Sequence, residues 1–337
     1  MGVRDIEYVE LYTSEPKPVL DYFVEAMGFT PVAESVERDT HSTALRCGEV
    51  QILVTSGRGA EAFLDAHGDG IADVALSADD VSATYEAALA AGARPVRGEG
   101  GRPAVAGFGD VRHSLVPASP DRRLPVGREW SALNGATGRA DRIRTLDHIA
   151  VCLEAGTLAD TTDFYIQALG LERYSSEYVA FGDQAMDSIV VRSVTGGATF
   201  TMIEPDRTKQ AGQIDRFLER NSGPGVQHLA FLVDEIVPAV HEFRGRGVDF
   251  LSTPAAYYEM LVERLGDLSE EIADLQVAHV LADRDEWGHL LQLFTRSPYE
   301  RNTLFFELIQ RRGSRGFGSA NIRALYEAVE RDRVIAE

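Results

Sequence analysis

The sequence predicts an α+β protein in which one strand–helix–strand plan is used twice, and three pairs of matching segments carry that prediction. The opening "RDIEYVELYTSEPKPVLDYFVEAMGFTPV" is answered by "RTLDHIAVCLEAGTLADTTDFYIQALGLERY" from Arg144. Both read as an alternating strand, an amphipathic helix and a helix-ending glycine, Gly28 or Gly170. "GDGIADVALSADDV" over 68–81 is answered by "GPGVQHLAFLVDEI" over 223–236, each a strand-like run ending in an acidic pair. "DDVSATYEAALAAGARPV" is answered by "DEIVPAVHEFRGRGVDFL", each a helix closed by Gly92 or Gly247 before a further strand.

In chain order, residues 1–118 form the first copy. "SPDRRLPVGREWSALNGATGRAD" over 119–141 is rich in Pro, Gly and Arg and has no period, which makes 119–143 the connection. Residues 144–337 form the second copy and end in "SANIRALYEAVERDRVIAE". There Ile322, Leu325, Tyr326 and Val329 are spaced as one face of a helix, which is expected over about 318–335.

Bulk properties narrow the function. A chain of 337 residues is long enough for two domains with separate cores. A hydrophobic fraction of 44% and a charged fraction of 26% are ordinary for a soluble globular protein. The formal net charge of -20 argues against a nucleic-acid partner, which needs a basic surface, and against an anionic membrane. Cys47 and Cys152 lie far apart in no CxxC or Cys/His spacing, against a disulfide framework or zinc knuckle. No basic segment followed by an apolar core opens the chain and no run approaches a membrane span, so a cytoplasmic protein is expected. "GEGGRPAVAGFGD" has no Lys-Ser/Thr for a phosphate cradle, and no G-x-S-x-G nucleophile elbow is present.

The two copies differ where chemistry is possible. His228 stands where Asp73 stands in the first copy, and His148 answers to Tyr8. Strand alternation puts His148 on a face with Ala150 and Cys152, His228 with Ala230, and Glu307 with Phe305. Any one of the three alone reads first as a hydrogen-bonded structural residue. Their confinement to one half shifts that reading toward a metal. Two histidines and a carboxylate on one side of an ion leave positions open for substrate and dioxygen, the non-haem Fe(II) arrangement. Neutral imidazoles with one carboxylate also keep the charge low enough for an anionic 2-oxo acid to coordinate. His41, His67, His113, His241, His279 and His289 have no ligand-like partners at suitable spacing and are expected to be structural or exposed.

The duplicated modules resemble the vicinal oxygen chelate superfamily. Within it, "GPGVQHLAF", "WGHLLQLFTRSP", "TLFFELIQRRG" and "GFGSANIRALYEAVE" resemble the 4-hydroxyphenylpyruvate dioxygenase family. The resemblance implies two open-barrel domains of βαβββ modules, a first one without metal and a catalytic second one, with the C-terminal helix as a lid. It implies Fe(II) as cofactor on His148, His228 and Glu307, and 4-hydroxyphenylpyruvate and O2 as substrates. It places Ser188, Gln213, Gln292 and Phe294 in the substrate pocket, with Phe305 beside Glu307 and Phe317 in "GFGSANI". No nucleic-acid or membrane partner is implied, and homo-oligomerisation is left open.

The same resemblance implies two outcomes after oxidative decarboxylation to 4-hydroxyphenylacetate. Attack on the ring gives homogentisate; hydroxylation of the benzylic carbon gives 4-hydroxymandelate, a precursor of 4-hydroxyphenylglycine in peptide antibiotics. The homogentisate-forming members resemble L-P-x-N-E-P and G-F-G-x-G-N-F at two places. This chain has "FTMIEP" and "GFGSANI", with Thr201, Ile203 and Ile322 at the three departures. These match the hydroxymandelate-forming pattern, which is the expectation; homogentisate formation is the alternative. A metal-free binding protein of the superfamily is opposed by the joint presence of His148, His228 and Glu307.

Overall fold

The computed structural model of the chain describes residues 2–119, 124–133, 142–265, 268–321 and 323. The first half opens with β1 (Val3–Tyr12) and α1 (Pro16–Asp21), where Pro16 costs no hydrogen bond because the first helical N–H has no partner in the helix. A wider helical turn over Tyr22–Ala26 follows, and the chain reverses at Gly28, with φ of 82°, into β2 (Thr30–Val36). Then come β3 (His41–Cys47), β4 (Val50–Ser56) and α2 (Glu61–His67). The plan repeats with β5 (Gly70–Ala78) and α3 (Val81–Ala90), whose N-terminus is capped by Asp80 accepting from the Ala83 amide at 2.9 Å. β6 (Pro95–Arg97), β7 (Pro103–Ala106) and β8 (Arg112–Pro117) complete it.

A short β9 (Ser131–Ala132) lies within the stretch expected to be pure connection and pairs with β2. The nine-stranded sheet runs β6-β7-β8-β5-β1-β4-β3-β2-β9. β1 is parallel to β4 and antiparallel to β5, so two βαβββ modules meet along β1 and β5.

The second half repeats this layout. β10 (Ile143–Cys152) leads into α4 (Leu158–Leu169), closed by Gly170 in the left-handed region. β11 (Glu172–Phe181), β12 (Gln184–Arg192) and β13 (Thr199–Pro205) finish one module, and α5 (Gln213–Asn221) crosses to the next. That module holds β14 (Gly225–Val233), α6 (Ile236–Gly245), α7 (Ala255–Arg264), α8 (Ile272–Ala278), β15 (Leu281–Arg284), β16 (His289–Phe294) and β17 (Phe305–Arg312). The eight-stranded sheet runs β11-β12-β13-β10-β14-β17-β16-β15. α7 and α8 are an insertion with no counterpart in the first half, held by buried Tyr257, Tyr258, Leu261, Ile272 and Leu275. The architecture is therefore α+β, two curled sheets of duplicated modules.

One apolar core spans both halves. Phe23 meets Phe306 of β17 at 5.3 Å, and Phe29 meets Phe231 of β14 at 5.9 Å. In return, Tyr165 of α4 hydrogen-bonds His113 of β8. The C-terminal helix starts at Ser319; Ile322 and residues 324–335 of the expected helix lie outside the described residues. Among the described residues no helix is long and apolar enough to cross a membrane.

Candidate metal centre

β10, β14 and β17 are neighbours in the second sheet. His148 faces Ala230 across the first pair, and Ala230 faces Glu307 across the second. One row thus runs His148–Ala230–Glu307, and the small central residue leaves the space between the outer two open. His228 lies two residues before Ala230 and so shares its face. His148 Nε2 is 3.4 Å and His228 Nε2 3.3 Å from Glu307 Oε2. All three donor atoms lie within 4.8 Å of one another, and all three side chains are buried.

The other ring nitrogens have partners. His148 Nδ1 is 2.9 Å from Asp147 Oδ1, and His228 Nδ1 is 3.2 Å from Gln227 Oε1. A proton on each Nδ1 leaves each Nε2 lone pair facing Glu307. Burial holds the His228 imidazole below its ordinary range, outweighing the hydrogen bond and charge of Glu307 that favour the protonated form. Neutral imidazole is the ligating form. Bonds of about 2.1 Å at right angles would put neighbouring donors roughly 3 Å apart, so these separations fit an ion after slight contraction. Two nitrogens and one carboxylate on one side suit Fe(II) with open positions.

The pocket residues expected from the sequence fall into three groups. Phe305 is the register partner of His228 and stacks on it, with centroids 5.0 Å apart and planes at 26°. Phe294 pairs with Glu307 and lies 5.8 Å from the His228 ring, while Phe317 stands edge-on to His148 at 5.2 Å. Thr201 pairs with Ala150 and Ile203 with Cys152, so both side chains share the face that carries His148. The Thr201 hydroxyl oxygen is buried with no protein partner, and Ile203 packs with Cys152, Ile214 and Phe217. Ser188 is half-buried beside Ile203 on β12.

Two others are placed differently. Gln292 is buried, and its Oε1 accepts from Asn321 Nδ2 at 3.2 Å, so it holds the start of the C-terminal helix. Gln213 opens α5 and is exposed. Ile322 lies outside the described residues. Sequence reasoning passed over Asp147, Gln227 and Asn321, and placed Ala230 only on the face of His228. The polar residue ahead of each histidine, in "LDH" and "VQH", was the one available signal, and strand alternation concealed it by assigning it to the opposite face.

The first half shows what replaces such a centre. Arg112 pairs with Asp73 in register, as Phe305 does with His228. Its Nε is 2.9 Å from Asp73 and its Nη2 3.1 Å from Glu10. Arg128, from the connecting stretch, donates to Glu10 Oε1 at 2.6 Å and Ser42 Oγ at 2.9 Å. Burial alone would raise the Glu10 pKa, but Arg128 and Arg112 outweigh it and hold the carboxyl below the ordinary range. Guanidinium groups thus sit on the buried carboxylates of this half.

Residues 1–119 match the family described as hydroxyphenylpyruvate dioxygenase, HPPD, N-terminal. Residues 145–293 match the glyoxalase/bleomycin resistance protein/dioxygenase superfamily. The 4-hydroxyphenylpyruvate dioxygenase of Yarrowia lipolytica is 31% identical over 98% of this chain and 92% of its own. That of Coccidioides posadasii is 31% identical over 98% of this chain and 94% of its own. A solved structure of a triple mutant of 4-hydroxymandelate synthase from Streptomyces coelicolor is 49% identical, with a TM-score of 0.90, over 99% of this chain and 100% of that one. By identity and coverage together, the chain belongs to the 4-hydroxyphenylpyruvate dioxygenase family.

Proposed function

We propose that the protein converts 4-hydroxyphenylpyruvate and O2 to 4-hydroxymandelate and CO2 at an Fe(II) centre in its second half. Residues 1–118 then serve as a metal-free architectural domain, 119–143 as the connection and 144–337 as the catalytic domain. The convergence of His148, His228 and Glu307 in one half, with Arg112 and Arg128 paired to buried carboxylates in the other, is the observation that carries this reading.

Bound iron would supply open coordination positions for the 2-oxo acid and O2, and the electrons that activate O2. One oxygen atom ends in the new carboxylate and the other in the benzylic hydroxyl. The chain's residues do the rest. Phe294 and Phe305 wall in His228 and give the site apolar sides. Phe317 covers His148 and shields that ligand from water. Thr201 offers a buried hydroxyl to a polar substrate atom, and Ile203 shapes the wall against which the ring rests.

Thr201 and Ile203 support the benzylic outcome, since they replace the proline and asparagine expected of homogentisate formers on a face shared with His148. The 49% identity to a hydroxymandelate synthase structure points the same way. A second reading, homogentisate formation, draws on the curated relatives at 31% identity, which are named 4-hydroxyphenylpyruvate dioxygenases. Incubation with Fe(II), O2 and 4-hydroxyphenylpyruvate, followed by liquid chromatography, separates them. Hydroxymandelate is expected; homogentisate as the main product overturns the proposal.

A further inference from the structure

Neighbouring residues of a strand point to opposite faces, so a side chain seldom reaches the ring of the residue after it. Two bulges break that rule here. Between the pairs Leu146–Phe231 and His148–Ala230, β10 advances two residues and β14 one, which makes Asp147 the extra residue. Between Ala150–His228 and Val151–Val226, β14 carries the extra residue, Gln227. Each directly precedes a candidate ligand and bonds its Nδ1. The first half has the same two bulges, at Glu7 and Ala72, but Tyr8 and Asp73 follow them and no imidazole needs orienting. The bulges belong to the fold; the paired acceptors accompany the histidines.

The two acceptors differ in what holds them. Arg311 grips Asp147 with two bonds of 2.7 Å, and its Nη1 donates to the Gly316 carbonyl at 2.7 Å. Its guanidinium lies 5.1 Å from the centre of the Phe317 ring, the ring that packs against His148. Asp285 in turn accepts from Ser314 Oγ and from the amides of Arg315 and Gly316, which anchors that loop. Burial alone would raise the Asp147 pKa, but the bonds from Arg311 and His148 keep the carboxyl well below its usual range.

We propose that Asp147 and Gln227 are positioning residues that aim the two histidine Nε2 atoms at the metal, and that Arg311 ties Asp147 to the C-terminal segment. This rests on the metal reading above. An acceptor on the far nitrogen fixes both tautomer and ring orientation, and its loss typically costs 10- to 100-fold in metal affinity. The test titrates the full chain with Co(II) alone, following its visible absorption band, with circular dichroism melting to monitor the fold. The wild type should bind, and Glu307→Ala should not. Gln227→Ala should weaken binding by about 10- to 100-fold and shift the band, and Gln227→Glu should restore most of the affinity. Asp147→Asn, which keeps an acceptor, should retain most of it too. The pair Asp147→Ala/Arg311→Met, which leaves no buried charge without its partner, should lose it. Wild-type affinity and an unshifted band in folded Gln227→Ala, or in the folded double variant, would overturn the positioning role. No Co(II) uptake by the wild type would overturn the metal reading and this inference with it.

Discussion

His148, Ala230 and Glu307 stand in one row across three strands, and the middle residue contributes only a methyl group. That methyl defines the floor of the site, so Ala230→Leu should fill the space an ion needs. The overpacking should cost about 1–3 kcal/mol of stability. Fe(II) affinity should fall by about a hundredfold or more, equivalent to some 2.7 kcal/mol. Metal titration beside a thermal melt checks both parts. The role proposed for Ile203 concerns the product instead. Ile203→Asn should let homogentisate appear beside hydroxymandelate at reduced total rate, because about 1.4 kcal/mol between competing barriers changes a product ratio tenfold. Hydroxymandelate as sole product of an active variant would place product choice elsewhere.

At the scale of elements, the stretch between the two halves does more than connect them. It sends Arg128 into the first barrel, where the guanidinium is nearly fully buried against Glu10 and Ser42. Arg128→Met removes one of two cations facing Glu10 and should cost about 3–5 kcal/mol, read as a lower urea midpoint with metal affinity unchanged. The pH dependence follows from Glu10. Its pKa is lowered in the folded protein, so its contribution is complete above the ordinary carboxylate range and fades as pH falls toward the folded value. Glu10→Gln should therefore flatten the acid limb of a stability–pH curve. A limb as steep as in the wild type would assign acid unfolding to other carboxylates.

The whole molecule is held by a core shared between halves, and His113 lies in it. This fully buried histidine faces the Val74 carbonyl through Nδ1 and the Tyr165 hydroxyl of the other half through Nε2. Burial holds it below the ordinary imidazole range, hence neutral, so its Nδ1–H donates to Val74 and its Nε2 accepts from Tyr165. As pH falls below about 6.5, the unfolded chain takes up a proton that the folded chain refuses, and stability drops. His113→Gln should lower stability at pH 8 and lessen its decline between roughly pH 7 and 5. Urea midpoints across that range test it; parallel curves for the two proteins would exclude His113 as a source of the slope.

Much of this architecture was legible in one dimension. The duplication, the strand–helix order and the confinement of His148, His228 and Glu307 to one half all follow from local pattern. Alternation and glycine-ended helices are written into consecutive residues. Other features needed partners distant in the chain. Which strands pair decides where a bulge falls, and the bulges alone turn Asp147 and Gln227 toward their histidines. Arg128 sits in a stretch whose composition reads as a linker, yet its charge meets the buried carboxylate of Glu10 inside the first half. Gln292 and Asn321 share a hydrogen bond across 29 residues, which no local period announces. Local pattern could single out the candidate ligands because metal-binding residue types in the second copy have no counterpart in the first; their orientation waited on strand register, a property of pairs of strands rather than of any one.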